Sequence, residues 1–237
     1  MTPELLVLAG GFGTRLRSAV SEVPKPLAPV EGRPFLHYLI EQWIVQGISH
    51  FCFLLHHQAE QIEQYLAEEQ VTGLLKGCKI DTVIEPEPMG TGGAVAFAVR
   101  KLGLAGSFLV VNADTWLGSG IRQISMTQPP ALAAVRMNDA GRYGAVHIEQ
   151  DTVLAFREKH ENAGAGLINA GLYHLTADVF LQWDGRPFSL EKDLFVHLAA
   201  SGRLHAVSLD TPFIDIGIPE DYFRFCHWIR SEKKETL

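Results

Sequence analysis

Apolar residues along this chain gather first into short runs separated by stretches of helical periodicity. Leu5–Ala9 is a continuous apolar run of strand length. Phe35, Leu36, Leu39, Ile40 and Trp43 recur at helical spacing and predict a helix over Pro34–Gln46, with Gly47 as its stop. Phe51–Leu55 predicts a second strand, Gln58–Glu69 a helix with a polar face, Ile80–Ile84 a strand, Gly92–Leu102 a helix and Phe108–Asn112 another strand. Strands that alternate with helices need crossover connections, and so imply a parallel sheet covered on both faces.

The pattern changes after Pro129-Pro130. Ala131–Arg136, Gly144–Ile148 and Thr152–Phe156 read as short strands, joined by polar turns at Asn138-Asp139-Ala140-Gly141 and Gln150-Asp151. Helical patterns return at Thr176–Gln182, Ser189–Ala200 and Pro219–Lys233. No internal repeat, low-complexity segment or flexible linker interrupts the chain. The expected architecture is α/β: a single domain over residues 1–237, with a three-layer, Rossmann-like, mostly parallel sheet flanked by helices and an antiparallel excursion in the second half.

Composition narrows the setting. With 237 residues, 47% of them hydrophobic, the chain can bury a substantial core. No run approaches the roughly 18 apolar residues of a membrane span, and the first residues lack the basic segment of a secretory signal. Cys52, Cys78 and Cys226 are odd in number and widely spaced, which fits neither a disulfide framework nor a Cys-x-x-Cys metal site. A reducing, cytoplasmic setting is expected, with Cys52 buried in its apolar run. The formal net charge of −7 argues against nucleic acid or anionic membrane as partner, while leaving room for a small anionic substrate held by a few local cations.

Two segments carry the candidate chemistry. After the first strand comes Leu8-Ala9-Gly10-Gly11-Phe12-Gly13-Thr14-Arg15-Leu16. Three glycines within four residues let backbone N–H groups come close to phosphate oxygens. The spacing matches neither a dinucleotide fingerprint nor a Walker loop. Arg15 adds a forked cation suited to a triphosphate. Pro24-Lys25-Pro26-Leu27 then presents one lysine on a stiffened backbone. Alone, the loop is also compatible with a tight strand-to-helix turn and Lys25 with a surface lysine; together they favour phosphate binding. Asp114 closes the strand ending at Asn112 and, at the C-terminal end of a parallel strand, points into the crevice where such sheets bind ligands. Asp215 has a similar context after Phe213-Ile214, and either residue taken singly also suits a turn.

The segment Leu8–Val30 resembles the signature of the sugar-1-phosphate nucleotidyltransferases. The likeness continues through Glu85-Pro86-Glu87-Pro88-Met89-Gly90-Thr91-Gly92-Gly93-Ala94, Asn112-Ala113-Asp114, Phe156-Arg157-Glu158-Lys159, Asn169-Ala170-Gly171-Leu172-Tyr173 and Asp215-Ile216-Gly217-Ile218-Pro219-Glu220-Asp221-Tyr222. It implies an enzyme that takes an NTP and a sugar 1-phosphate and releases pyrophosphate, with 1–128 mainly the nucleotide-binding half and 129–237 mainly the sugar-binding half. It further implies Mg²⁺ on Asp114 and Asp215, a choice that hard oxygen ligands suit. Arg15, Lys25, Asp114 and Lys159 are the implied catalytic residues. Leu8, Ala9, Gly10, Gly11, Gly13, Thr14, Arg15, Glu85, Gly90 and Thr91 are implied for the nucleotide, and Asn112, Gly144, Glu158, Lys159 and Asn169 for the sugar.

Glu85 matches the position that reads the base. A carboxylate can accept both adjacent donors of guanine, whereas uracil and thymine, with one donor between two acceptors, suit a glutamine better; GTP is therefore favoured. The runs Ala9–Leu16, Val23–Val30 and Arg33–Leu36 most resemble the guanylyltransferases of D-glycero-α-D-manno-heptose 1-phosphate, with mannose 1-phosphate as the alternative substrate. One departure is His56-His57, where a Gly-Tyr-like pair is expected. Adjacent histidines point in different directions and make no metal site by themselves. Among rivals, a metal-dependent glycosyltransferase would not need Arg15 and Lys25 for pyrophosphate. A non-catalytic nucleotide-sugar sensor would be expected to have lost one of these charged groups. A homo-oligomer is compatible with the sequence.

Overall fold

The computed structural model describes residues 4–141, 143, 145–157 and 164–235. Its first half follows the hydrophobic pattern closely. Strand β1 (Leu5–Leu8) leads through the glycine loop and a 3-10 turn at Lys25–Leu27 to a small hairpin, β2 (Pro29–Val30) with β3 (Arg33–Pro34). Helix α1 (Phe35–Val45), β4 (His50–Leu55), α2 (Ala59–Thr72), β5 (Lys79–Ile84), α3 (Gly90–Leu102) and β6 (Ser107–Asn112) come next. The remaining elements are β7 (Thr115–Leu117), α4 (Ile121–Met126), β8 (Ala131–Met137), β9 (Ala145–Glu149), β10 (Thr152–Arg157), β11 (Gly166–Thr176), α5 (Val196–Ala200), β12 (His205–Leu209), β13 (Phe213–Asp215) and α6 (Pro219–Glu235).

Nine strands form one sheet in the order β5-β4-β1-β6-β11-β8-β12-β10-β9. β5, β4, β1 and β6 run parallel, which places the ends of β1, β4, β5 and β6 along one rim. β11 pairs antiparallel with both β6 and β8 and so joins the two halves of the sheet. Beyond it the sheet is mixed: β8 and β12 are parallel, while β10 runs antiparallel to β12 and β9.

Period-two alternation divides the apolar residues between two cores, one on each face. Leu5, Val7, Phe51 and Phe53 pack with Phe35, Leu39, Ile62 and Phe225 on the face covered by α1, α2 and α6. Leu6, Cys52, Leu54 and Val110 pack with Val95, Ala98 and Leu198 on the face covered by α3 and α5. The expected three layers are thus present. Cys52 is fully buried, and burial pushes its thiol up to about 12. The cysteines are free, and among the described residues no helix is long and apolar enough to cross a membrane.

In the second half β11 and β12 are strands beyond those expected, and three further segments differ from expectation. Thr176–Gln182, expected as a helix, is the end of β11 followed by one 3-10 turn at Ala177–Phe180. The chain is drawn into the sheet there, because Leu172, Tyr173 and Leu175 fill both cores. Ser189–Ala200 begins as a π-helical segment, Leu190–Phe195, before continuing into α5. The third departure is β7 with β13, a separate two-stranded ribbon too short to show a period.

Candidate active site

The site lies at the C-terminal rim of the parallel strands, where open α/β sheets bind ligands. The glycine loop leaves β1 there, Glu85 follows β5, and Asn112 ends β6. Leu8, Ala9, Gly10, Gly11, Gly13, Glu85, Gly90, Thr91, Lys25, Asn112 and Asp114 all line one cavity of about 330 Å³. Gly13 turns at φ +58, and a Cβ there would stand 3.1 Å from the Lys25 Cβ, so glycine lets the loop fold down onto the lysine. Gly90 opens α3 at φ +69, and its Cβ would lie only 2.5 Å from the Phe188 carbonyl oxygen, which fixes this helix start against the chain before the π-helical segment.

Glu85 is almost fully buried at the cavity wall. Its Oε2 accepts the Met89 N–H at 3.0 Å. Burial pushes its carboxyl above the usual range, against the opposing pull of that N–H and of His56. His56 Nδ1 lies 3.1 Å from the Glu85 carbonyl oxygen; a carbonyl only accepts, so this nitrogen carries the hydrogen. The His56-His57 pair, unassigned by its sequence, therefore packs around Phe12 of the glycine loop, with ring centroids 5.8 and 5.1 Å away.

A second cavity of about 410 Å³ opens on the other side of Asn112. Arg15, Asn112, Asn169 and Asp215 line it, together with Tyr173 and Asp221, which lie in the resembling motifs but carried no assigned role, and Glu191, which lies in none. Their signal was hidden: Tyr173 and Glu191 stand within apolar periodic segments, and Asp221 in the first turn of a helix. Among the described residues Asn112 Oδ1 is buried without a hydrogen-bond partner, so an acceptor with no donor among them stands between the two cavities.

The cavities meet at three charges. Lys25 Nζ is 2.6 Å from Asp114 Oδ2 and 3.9 Å from Asp215 Oδ1. The β7–β13 ribbon creates this meeting: Asp215 pairs in register with Thr115, and the Ile216 N–H donates to the Asp114 carbonyl at 2.9 Å. Desolvation would raise the Asp114 carboxyl, but Lys25 and a hydrogen bond from Thr115 together hold it below the usual carboxylate range. Asp215 is pushed up to about 6 by burial and by the Asp114 charge, only partly offset by Lys25, the Gly217 N–H and Arg15. Two carboxylates sharing one ammonium retain net negative charge and hard oxygen donors, which fits a divalent cation such as Mg²⁺.

Not every expected residue converges. Thr14 is exposed and lines neither cavity. Arg15 lies on the side of the second cavity, toward Asp114 and Asp215, rather than within the first. Gly144, Glu158 and Lys159 lie outside the described residues. Among the described residues, the cluster of three metal-ligand types with donor atoms close together is Glu4, His50 and Asp81, beside the N-terminal ends of the strands, away from the crevice. There His50 Nε2 is 2.9 Å from Asp81 Oδ2 and Lys79 Nζ 3.2 Å from the same oxygen, so the group is internally ion-paired.

Comparison with known proteins bears on this geometry. The nucleotidyl transferase family matches residues 4–231. The D-glycero-α-D-manno-heptose 1-phosphate guanylyltransferase of Campylobacter jejuni is 36% identical over 225 residues, covering 94% of this chain and 98% of that protein. The enzyme of the same name from Aneurinibacillus thermoaerophilus is also 36% identical, covering 92% and 95%. The crystal structure of HddC from Yersinia pseudotuberculosis complexed with GMP-PN superposes with a TM-score of 0.81 at 32% identity, over 96% of this chain and 99% of that one.

Proposed function

We propose a specific reaction for this chain, which belongs to the nucleotidyl transferase family: it transfers GMP from GTP to D-glycero-α-D-manno-heptose 1-phosphate and releases pyrophosphate. The observation that carries the reading is the convergence of Lys25, Asp114 and Asp215 where the two cavities meet. One cavity has a glycine loop and a buried carboxylate suited to guanine; the other has amide and carboxylate groups suited to sugar hydroxyls. The heptose is taken from the Campylobacter and Aneurinibacillus relatives, and GDP-heptose is a precursor for surface polysaccharide made in the cytoplasm.

The sugar phosphate, with a second pKa near ~6, is largely dianionic at neutral pH and needs no general base. Its oxygen attacks the α-phosphorus in line, a new P–O bond forms, and the bond to the β-phosphate oxygen breaks. The protein brings two anions together and holds the developing charge. Lys25 is placed at the phosphorus undergoing transfer, and the amides of Gly10, Gly11 and Gly13 receive phosphate oxygens. Arg15, exposed on the sugar side of the loop, is assigned to the departing pyrophosphate. Glu85 accepts from N1–H and the exocyclic amine of guanine. Asn112 Oδ1 takes a hydroxyl donor. Asp114 and Asp215 would hold Mg²⁺, which supplies charge neutralisation of the phosphates. Lys159 and Glu158 are assigned to the sugar phosphate and a sugar hydroxyl on resemblance alone.

The test crosses GTP, UTP, dTTP, CTP and ATP with heptose, mannose and glucose 1-phosphates and follows pyrophosphate release with Mg²⁺. Release with GTP and the heptose is expected. Preference for mannose 1-phosphate would replace the sugar, and preference for UTP or dTTP would overturn the role of Glu85. Lys25→Met is expected to keep the fold and lower kcat by about 100-fold or more, since one preorganised charge on a transition state is worth that much. A near-normal rate would remove Lys25 from the mechanism.

A further inference from the structure

Glu191 lies on the π-helical segment between the two halves of the site, in no motif that the sequence singled out. Its carboxylate is saturated on one oxygen and singly engaged on the other. Oε2 accepts from Thr91 Oγ at 2.9 Å and from Ser189 Oγ at 2.8 Å. Oε1 accepts from the Tyr173 hydroxyl at 3.1 Å. Tyr173 is wholly buried, and its oxygen receives Asn169 Nδ2 at 3.0 Å. Asn169 Oδ1 in turn accepts the Gly171 N–H at 3.0 Å.

Donor and acceptor identities fix the direction of this chain. An ionised carboxylate only accepts, so the Tyr173 hydroxyl must spend its one hydrogen on Glu191. Its oxygen is then left as an acceptor, and only the amino end of Asn169 can satisfy it. The Gly171 N–H imposes the same orientation from the other side. Among the described residues, Asn169 therefore lines the second cavity with one unused Nδ2 hydrogen and one unused Oδ1 lone pair, a donor and an acceptor at defined places. A vicinal pair of sugar hydroxyls is the partner such a pair recognises.

We infer that Glu191 is a positioning residue for sugar recognition, acting through Tyr173 to lock the Asn169 amide in the orientation that reads the hydroxyls of the sugar phosphate. The inference rests on the reaction proposed above. A glutamine at 191 can donate as well as accept. It can offer its own N–H to the Tyr173 oxygen, which turns the hydroxyl hydrogen toward an amino group that cannot accept it. Asn169 is then pushed from its place while the shape of the segment is kept.

The experiment is a cycle of Glu191→Gln and Asn169→Ala, with Tyr173→Phe as a second entry into the same chain should Glu191→Gln fold poorly. For Glu191→Gln and for Tyr173→Phe the KM for the sugar phosphate is expected to rise about tenfold, the scale of one or two misplaced hydrogen bonds, with the KM for GTP and kcat within about twofold of wild type. In the Asn169→Ala background Glu191→Gln is expected to add nothing further to that KM. An unchanged sugar-phosphate KM overturns the inference. Equal rises in both KM values also overturn it, as does a full additional loss without Asn169, because either means that Glu191 acts by itself or through general stability. Absence of turnover in the wild-type enzyme with every substrate pair would instead remove the proposed reaction, and this inference with it.

Discussion

Glu85 sits within a hydrogen bond of the Met89 amide in a wall that excludes most water, and under the proposed reaction its protonation governs how well it reads the base. Its raised carboxyl pKa means that it gains a proton at a pH where a glutamate of ordinary pKa 4.5 is still ionised. GTP affinity is therefore expected to fall as pH drops through that raised value, and the KM for GTP measured across mildly acidic buffers should climb while that for the sugar phosphate climbs less. Glu85→Gln removes the charged acceptor and is expected to cost about 10- to 100-fold in kcat/KM for GTP while narrowing the gap to UTP and dTTP. Equal losses for all nucleotides would mean that Glu85 serves only the wall. At this scale the gathering of the glycine loop, Lys25 and Asp114 at one crevice was legible from residue type and spacing, and that of Glu85 from the family resemblance. Glu191 and Tyr173 were not, because their roles depend on who stands opposite, and only folding decides that.

Helix α6 is where elements and chemistry meet. It binds the hairpin that follows Lys25: the Tyr222 hydroxyl donates to the Pro29 carbonyl, and Arg230 grips Glu31 through two nitrogens at 2.6 and 3.0 Å. The exposed Arg230 pair contributes little. Phe225 contributes far more, being fully buried edge-on against Phe35 with centroids 4.8 Å apart and packed on Trp116. Phe225→Ala is expected to cost about 3–5 kcal/mol of unfolding free energy, read as a lower urea midpoint. A loss below about 1 kcal/mol would mean that the helix is not integral to this core. α6 itself was readable from its periodicity. β11 was not: Asn169-Ala170-Gly171 reads locally as a turn, and the ladder with β8 does break between Asn169 and Tyr173, yet pairing with β6 and β8 carries the strand through. Long-range pairing overrode local preference there, as it did at Thr176.

Across the whole molecule, one contribution to the pH dependence of stability comes from His37 on α1, which faces Glu69 of α2. Burial and the neighbouring Arg33 hold its pKa below the ordinary 6.5, outweighing Glu69 and Glu41. The unfolded chain then binds the proton first, so this contribution is full above pH 6.5 and is lost as pH falls from 6.5 toward the lowered value. The raised Asp215 and Glu85 carboxyls act in the opposite direction as pH falls, so the contribution is read as a difference: urea midpoints on either side of pH 6.5 should fall less, or rise more, in His37→Gln than in the wild type, and an unaltered slope in the variant would remove His37 from the pH response. The strands and helices of the parallel half were legible because each crossover is short and local, whereas the ribbon that joins Asp114 to Asp215 links distant segments whose sequences say nothing of each other. That ribbon also sets a schedule for biosynthesis. A ribosome delivers the glycine loop, Lys25 and Asp114 early, but Asp215 emerges only after most of the chain has been made. A nascent polypeptide stalled before Phe213 thus carries the glycine loop, Lys25 and Asp114 without Asp215. Under the proposed reaction, competence for transfer is acquired late in synthesis, when the strand bearing Asp215 closes onto β7.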